Sequence, residues 1–176
     1  SLARPLWLIL LEQNTTAFVS NTQIVNVAAE PFYQWFIMIG GSGATLGLAI
    51  LFAFRSKSSY GKALGKTAFI PSIFNINEPM IFGAPIVLNP MLIIPFIIAP
   101  IVNALIAWFA TSIGLVNNVV ASAPWTLPGP IGAFLATGND WRAAVLVVIL
   151  IIISIGIYYP FFKMYDKKLL LEEESK

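Results

Sequence analysis

Glu78 is the residue whose type and surroundings point most directly to chemistry. It is the only charged residue between Lys66 and Asp140, in an otherwise mostly apolar part of the chain. A charge at the centre of a bilayer costs about 2.5 to 3.5 kcal/mol even on lenient scales, so such acids usually serve a function. Asn75 and Asn77 stand beside it, and one carboxylate with two carboxamides suits a polyhydroxylated neutral solute better than an ion. The plainer alternative is a loop glutamate at the membrane interface.

The dipeptide Trp125-Thr126, inside a proline-rich run, is the second candidate for solute binding. An indole face can stack on the C–H face of a sugar ring, but tryptophan is also the usual anchor at a membrane interface. The residue types leave both roles open. Asp140 and Arg142, the next charged residues along the chain, are expected to form a solvated loop pair.

The composition excludes several classes of protein. Charged residues make up 10% and hydrophobic residues 58% of the 176 residues, whereas an ordinary soluble domain is about 25% charged. The sequence has no histidine and no cysteine, which excludes zinc sites, thiol catalysis and Ser-His-Asp triads, and we expect neither metal nor cofactor. A net charge of +2 is too small to indicate nucleic-acid binding. The glycine-rich block Gly40–Thr45 lacks the lysine and spacing of a phosphate-binding loop, so it predicts backbone flexibility or close helix packing instead.

Long uncharged stretches must position the candidate residues. Residues 31–54 and 143–162 carry no charge, and each stretch is long enough to cross a bilayer as a helix. We predict spans over about 35–54, 90–116 and 143–162. The apolar run Pro5–Leu11 is too short to span, and the polar residues that follow it, from Glu12 to Asn26, predict a loop.

The charges and prolines predict a re-entrant hairpin over about 67–89. The basic loop Arg55–Lys66 and the lysines that follow residue 162 place both flanks of the intervening region in the cytoplasm. An even number of complete crossings must lie between them, and 90–116 and 143–162 supply two. Pro79 prevents a straight helix through the remaining stretch and drives Glu78 away from helical geometry. The hairpin tip is therefore expected near Asn77 and Glu78, enclosed in protein or lining a watery cavity.

The predicted fold class is an all-α, polytopic integral membrane protein with transmembrane helices and one re-entrant hairpin. The chain begins at Ser1 rather than at methionine. We therefore expect residues 1–176 to be a single fragment, the C-terminal substrate-binding and transport region of a larger transporter.

The run from Phe74 to Gly83, Phe-Asn-Ile-Asn-Glu-Pro-Met-Ile-Phe-Gly, resembles the signature of a known family, and the similarity continues through Pro90. The family is enzyme IIC, the membrane component of the bacterial sugar phosphotransferase system, in its lactose, cellobiose and diacetylchitobiose branch. Three further blocks resemble the family in the expected order: Gly40–Leu46, Pro124–Thr126 and Asp140–Arg142.

The resemblance implies a multi-pass permease of the bacterial cell membrane. Such a permease takes up a disaccharide while the phosphocysteine of enzyme IIB phosphorylates its C6 hydroxyl, with enzyme IIA, HPr and enzyme I upstream. The chain would then be the membrane part of a sugar phosphotransferase complex whose phosphoryl donor is on the partner. The expected catalytic residue is Glu78, and the expected substrate-binding residues are Asn75, Asn77, Glu78, Trp125 and Thr126.

The resemblance also implies a homodimer, formed through an N-terminal region, that is surrounded by membrane lipid and binds no nucleic acid. A family histidine in a Gly-His-Gly-like segment is expected upstream of Ser1. The sugar could be cellobiose, diacetylchitobiose or lactose. From the residues, two alternatives stay open: a secondary transporter that moves unmodified sugar with Glu78 as its proton or ion site, and a non-catalytic subunit whose polar tip only packs against a partner.

Overall fold

The computed structural model describes residues 4–175, and every regular element in that part of the chain is helical. The predicted all-α class is therefore confirmed. The elements in chain order are α1 (Arg4–Val19), α2 (Glu30–Phe32), a π-helical turn (Tyr33–Ile37), a 3-10 turn (Ser42–Ala44), α3 (Leu46–Arg55), α4 (Ser59–Ile73), α5 (Glu78–Gly83), a second 3-10 turn (Ile86–Leu88), α6 (Pro90–Ser112), α7 (Gly129–Ala136) and α8 (Trp141–Glu174).

The helices α6 and α8 are each long and apolar enough to cross a bilayer. A third candidate span is bent, because the segments Glu30–Ala44 and Leu46–Arg55 meet at 54°. The bend falls on the glycine-rich block, where Gly41 and Gly43 have φ values of 95° and 78° that residues with a side chain avoid. These helices support the prediction of a membrane protein. The limits given for its three spans stay predictions.

Two segments predicted as loops are helical. Helix α1 continues to Val19 instead of ending near residue 11, because its polar side chains find partners: Asn14, which is buried, donates to the carbonyl oxygens of Asn26 and Val119 at 2.7 and 2.8 Å. The basic segment 55–66 is a loop only at residues 56–58. Helix α4 starts at Ser59 because the Ser58 hydroxyl caps it, accepting from a backbone N–H.

Glycines bring three helices into close contact. A Cβ atom on Gly65 of α4 would lie 2.3 Å from the backbone nitrogen of Ala53, and one on Gly47 of α3 would lie 2.8 Å from that of Ile155 in α8. Small residues let helix backbones approach in this way in membrane proteins. Helix α3 therefore packs between α4 and α8, and α4 rests against α3.

The beginning of α4 is tied to the charged end of α8. The Asp166 carboxylate accepts from the backbone N–H of Lys57 at 2.9 Å. The Glu173 carboxylate accepts from the backbone N–H groups of Ser59 and Tyr60 at 3.0 and 2.9 Å. These N–H groups have no partner inside the helix itself, so two carboxylates of α8 fix the base of the hairpin that α4 begins.

Candidate functional site

The chain reverses between α4 and α5, and the turn lies at the residues predicted for a hairpin tip. Asn75 takes a left-handed backbone conformation with φ of 62°, which asparagine tolerates better than most residues. Pro79 lies in the first turn of α5, where its missing N–H costs nothing. Near the other end of the hairpin, the Tyr60 hydroxyl donates to the carbonyl oxygen of Gly83 at 2.8 Å. The structure therefore contains a helical hairpin formed by α4 and α5, whereas the re-entry of this hairpin into the membrane stays a prediction.

The Asn75 side chain joins the tip to two other segments. Its Oδ1 accepts from the backbone N–H of Gly40 at 3.0 Å. Its Nδ2 donates to the carbonyl oxygens of Trp125 and Leu127 at 2.8 and 3.1 Å. The two sequence blocks that carry the candidate residues are therefore brought together with the glycine-rich block.

The Asn77 side chain makes a second connection to the glycine-rich block. Its Nδ2 donates to the carbonyl oxygen of Ser42 at 2.8 Å and to Thr45 Oγ1 at 2.9 Å. The Thr45 hydroxyl in turn donates to the carbonyl oxygen of Gly40 at 3.0 Å. Asn77 is only 6% exposed, so these bonds are shielded from water and fix the residue next to Glu78.

Gly41 has to be glycine for the tip to sit where it does. A Cβ atom at this position would lie 2.4 Å from Asn77 Cγ, far inside contact distance. Its φ of 95° and ψ of −171° also lie in a region that only glycine occupies freely. At Gly41, the glycine block therefore packs closely against a side chain of the hairpin tip.

Glu78 is the first residue of α5, and its side chain is exposed. Among residues 4–175, no hydrogen bond or ion pair reaches it, unlike the neighbouring asparagines. A negative charge at the start of a helix is favourable, because the backbone N–H groups there point towards it. The hydrogen bonds of Asn77 hold the backbone next to Glu78, and the carboxylate keeps its hydrogen-bonding capacity within the described part of the chain.

Trp125 and Thr126 lie next to the hairpin tip. The carbonyl oxygen of Trp125 is bound by Asn75, while its indole ring is exposed, at 58% for the whole residue. Thr126 is exposed as well. An exposed indole can stack on a sugar ring, and the binding roles of all five candidate residues stay predictions.

Comparison with known proteins identifies the family. The family described as "Phosphotransferase system, EIIC" matches residues 2–100. This chain belongs to the EIIC family. The lichenan permease IIC component of Bacillus subtilis (strain 168) is 44% identical over 172 residues, which cover 97% of this chain and 38% of that protein. The lactose-specific EIICB component of Lacticaseibacillus casei is 38% identical over 180 residues, covering 100% of this chain and 31% of that protein.

A solved structure has the same fold. This chain matches the crystal structure of the transporter ChbC with a TM-score of 0.96 and 37% sequence identity. ChbC is the IIC component of the N,N'-diacetylchitobiose-specific phosphotransferase system. The match covers 99% of this chain and 41% of that one. The EIIC assignment confirms the predicted membrane protein, and the chain spans less than half the length of each of these three proteins.

The candidate site also includes a supporting residue that the sequence did not predict. Tyr158, buried in the middle of α8, donates from its hydroxyl to the carbonyl oxygen of Gly43 at 2.7 Å. Like Asn77, it holds the glycine block by a hydrogen bond. A tyrosine within an apolar run was the available signal, because a buried tyrosine hydroxyl usually has a hydrogen-bond partner.

The prediction of a solvated pair at Asp140 and Arg142 is wrong. Asp140 is only 6% exposed, and its carboxylate accepts from the backbone N–H and Nε of Arg142 at 3.0 and 2.9 Å and from the backbone N–H of Asn117 at 2.9 Å. It caps the beginning of α8. Burial works to raise the pKa of Asp140, but the hydrogen bonds outweigh it and hold that pKa below its ordinary value.

Proposed function

We propose that this EIIC chain is the sugar-binding, C-terminal transport region of a phosphotransferase-system permease. In this proposal a disaccharide binds at the hairpin tip, and its C6 hydroxyl receives a phosphoryl group from the phosphocysteine of enzyme IIB. The observation that carries it is the exposed Glu78 carboxylate, unbonded among residues 4–175 and fixed beside Asn77. The family membership supports the phosphotransferase setting.

The chemistry needs one base and accurate positioning. As the C6 oxygen attacks phosphorus, the Glu78 carboxylate accepts the proton of the C6 hydroxyl. The bond between phosphorus and the cysteine sulfur breaks, and the sulfur leaves as a thiolate on the partner. Phosphoryl transfer depends mostly on alignment and charge stabilisation, so the membrane protein has little else to supply.

The other site residues have separate roles in the proposal. Asn75 and Asn77 hold the tip through their amide NH₂ groups, which already donate to protein acceptors. The Oδ1 atom of Asn77 has no donor within the part of the chain that the structure describes, and it is the amide atom that we assign to the sugar. The Trp125 indole stacks on a sugar ring, and the Thr126 hydroxyl binds a sugar hydroxyl.

The substrate and the partners belong to the same proposal. The three relatives are named for lichenan, lactose and diacetylchitobiose, so a disaccharide such as cellobiose, diacetylchitobiose or lactose is the proposed substrate class. One relative is named an EIICB component, which supports enzyme IIB as the direct partner. We place enzyme IIA, HPr and enzyme I upstream, and a homodimer in the bacterial cell membrane.

The decisive experiment uses the full-length protein in membrane vesicles. Labelled cellobiose, diacetylchitobiose and lactose are offered with and without phosphorylated enzyme IIB, and internal sugar and sugar phosphate are separated. Sugar phosphate is expected only with the partner. Free sugar that accumulates without it would instead establish a secondary transporter.

The role of Glu78 is tested by Glu78→Gln, which keeps the shape and removes the base. We expect phosphorylation to fall about 10² to 10⁴-fold, the usual contribution of a positioned base, with sugar still bound. The matched control is Glu30→Gln in the other Glu-Pro pair, where Glu30 pairs with Arg4 at 3.2 Å and phosphorylation should persist. A Glu78→Gln variant that phosphorylates sugar at the normal rate would leave Glu78 only a binding role.

A further inference from the structure

A positively charged cavity lies at the other end of α4, away from the sugar site. Its volume is about 450 Å³, and the cations that line it come from the end of α3, the following loop and the charged part of α8: Arg55, Lys57, Lys163 and Lys167. This volume is in the range of small-ligand pockets. Because α4 has 15 residues, at a rise of about 1.5 Å each, roughly 22 Å separates the base of the hairpin from its tip.

The acid in the cavity wall, Asp166, offsets one of the four positive charges but forms no salt bridge with them. Asp166 Oδ1 accepts from the hydroxyls of Ser56 and Ser58 at 2.5 and 3.0 Å, and its Oδ2 accepts from the backbone N–H of Lys57. Its oxygens therefore hold the loop before α4. Between residues 4 and 175, the salt bridges lie elsewhere, so the cations of the cavity have no carboxylate partner.

The cavity lies where two apolar segments end. Arg55 is the first charged residue after residue 30, and Lys163 is the first after residue 142. The cavity wall also contains Tyr159, Phe162 and Leu170, so one side is apolar. A membrane protein meets lipid headgroups at this level, where a polar layer borders the hydrocarbon.

We propose that this cavity binds a phosphate group, presented by the headgroup of an anionic phospholipid. Arginine offers a planar set of N–H donors that fits phosphate oxygens, and the lysines add positive charge. The apolar side receives the upper part of the acyl chains, while the cations receive the phosphate. A soluble phosphate compound offers the same chemistry, and the experiment distinguishes the two sources. The proposal does not depend on the phosphotransferase function.

The test measures lipid bound to the purified full-length protein in mild detergent, without sugar or enzyme IIB. Labelled phosphatidylglycerol is titrated against the wild type and against a double variant, Arg55→Gln with Lys163→Gln. The matched control, Lys62→Gln with Lys66→Gln, removes the same charge from exposed positions of α4 outside the cavity. Each cation near a membrane surface contributes about fivefold in affinity for anionic lipid, so the cavity variant should bind about 25-fold more weakly. The control should match the wild type.

Two further measurements settle the source and the fold. Inorganic phosphate and glucose 6-phosphate are added as competitors: if neither displaces the lipid, a lipid headgroup is the source. If one of these competitors displaces the lipid from the wild type and does not bind to the cavity variant, the cavity binds a soluble phosphate compound. If both double variants unfold at the temperature of the wild type, they are folded. The single variant Lys167→Gln should bind phosphatidylglycerol about fivefold more weakly than the wild type. Equal lipid and phosphate binding by the wild type, the cavity variant and the control would overturn the proposal.

Discussion

Replacing Gly41 by alanine should displace the hairpin tip from the glycine-rich block. The new Cβ would lie 2.4 Å from Asn77 Cγ and 2.7 Å from both Nδ2 and Oδ1. Asn77 cannot swing aside without losing its bonds to Ser42 and Thr45. The alanine would also have to keep a φ of 95° and a ψ of −171°, which residues with a Cβ avoid.

The expected cost of Gly41→Ala follows from these two effects. A residue forced into a glycine-only backbone region costs about 1 to 3 kcal/mol. The two hydrogen bonds of Asn77 are worth about 0.5 to 1.5 kcal/mol each. Together they predict a loss of about 2 to 6 kcal/mol in the free energy of unfolding, along with weaker sugar binding because Glu78 loses its fixed neighbour.

The assay compares thermal unfolding and labelled-sugar binding of the full-length protein in detergent. Gly156→Ala is the control, because no atom lies within 4 Å of its Cβ position and helical alanine is about 1 kcal/mol more favourable than glycine. In Gly41→Ala with Asn77→Ala the clash is gone, so the double variant should lose less stability than the two single losses combined. If Gly41→Ala unfolds at the wild-type temperature and binds sugar normally, the glycine block does not position the tip.

Three other substitutions test the supports of the site. Asp166→Asn should destabilise the protein by about 1 to 3 kcal/mol, since a neutral amide cannot accept from all the donors around Asp166, and thermal unfolding would show it. Tyr158→Phe leaves the Gly43 carbonyl unpaired, so we expect a loss of about 1 to 3 kcal/mol by the same assay; unchanged unfolding would contradict the support we assign to the hydroxyl. The lowered pKa of Asp140 means that its contribution is complete above its ordinary value of 3.8 and is lost as pH falls through the lower folded value. Unfolding of Asp140→Asn should therefore depend less on pH below about 4 than that of the wild type; equal slopes would refute it.

The overall class and the hairpin tip could be predicted from local sequence. Uncharged runs define apolar helices, and a lone acid followed by proline marks a break that must be polar and enclosed. The same reasoning points to Glu78 and also to Asn75 and Trp125, which the structure joins by a hydrogen bond. These signals work because each one depends on a few consecutive residues.

The contacts that hold the site could not be predicted in this way. Asn77 meets Gly41, and Tyr158 meets Gly43, across long separations in sequence that periodicity does not address. The helical extension of α1 was missed because polar side chains indicate a loop unless their distant acceptors are known. Asp140 was misjudged for the same reason, since its donor Asn117 lies in another segment.

Three polar side chains at the site, Asn75, Asn77 and Tyr158, form hydrogen bonds with backbone groups. In a membrane, non-helical backbone must find hydrogen-bond partners within the protein. Asn75, Asn77 and Tyr158 supply them to the backbone groups at the break and the adjacent loop: Gly40, Ser42, Gly43, Trp125 and Leu127. Among residues 4–175, the Glu78 carboxylate bonds to none of these groups, and it lies in the first turn of α5. Within the described part of the chain, its carboxylate therefore keeps its capacity to accept hydrogen bonds.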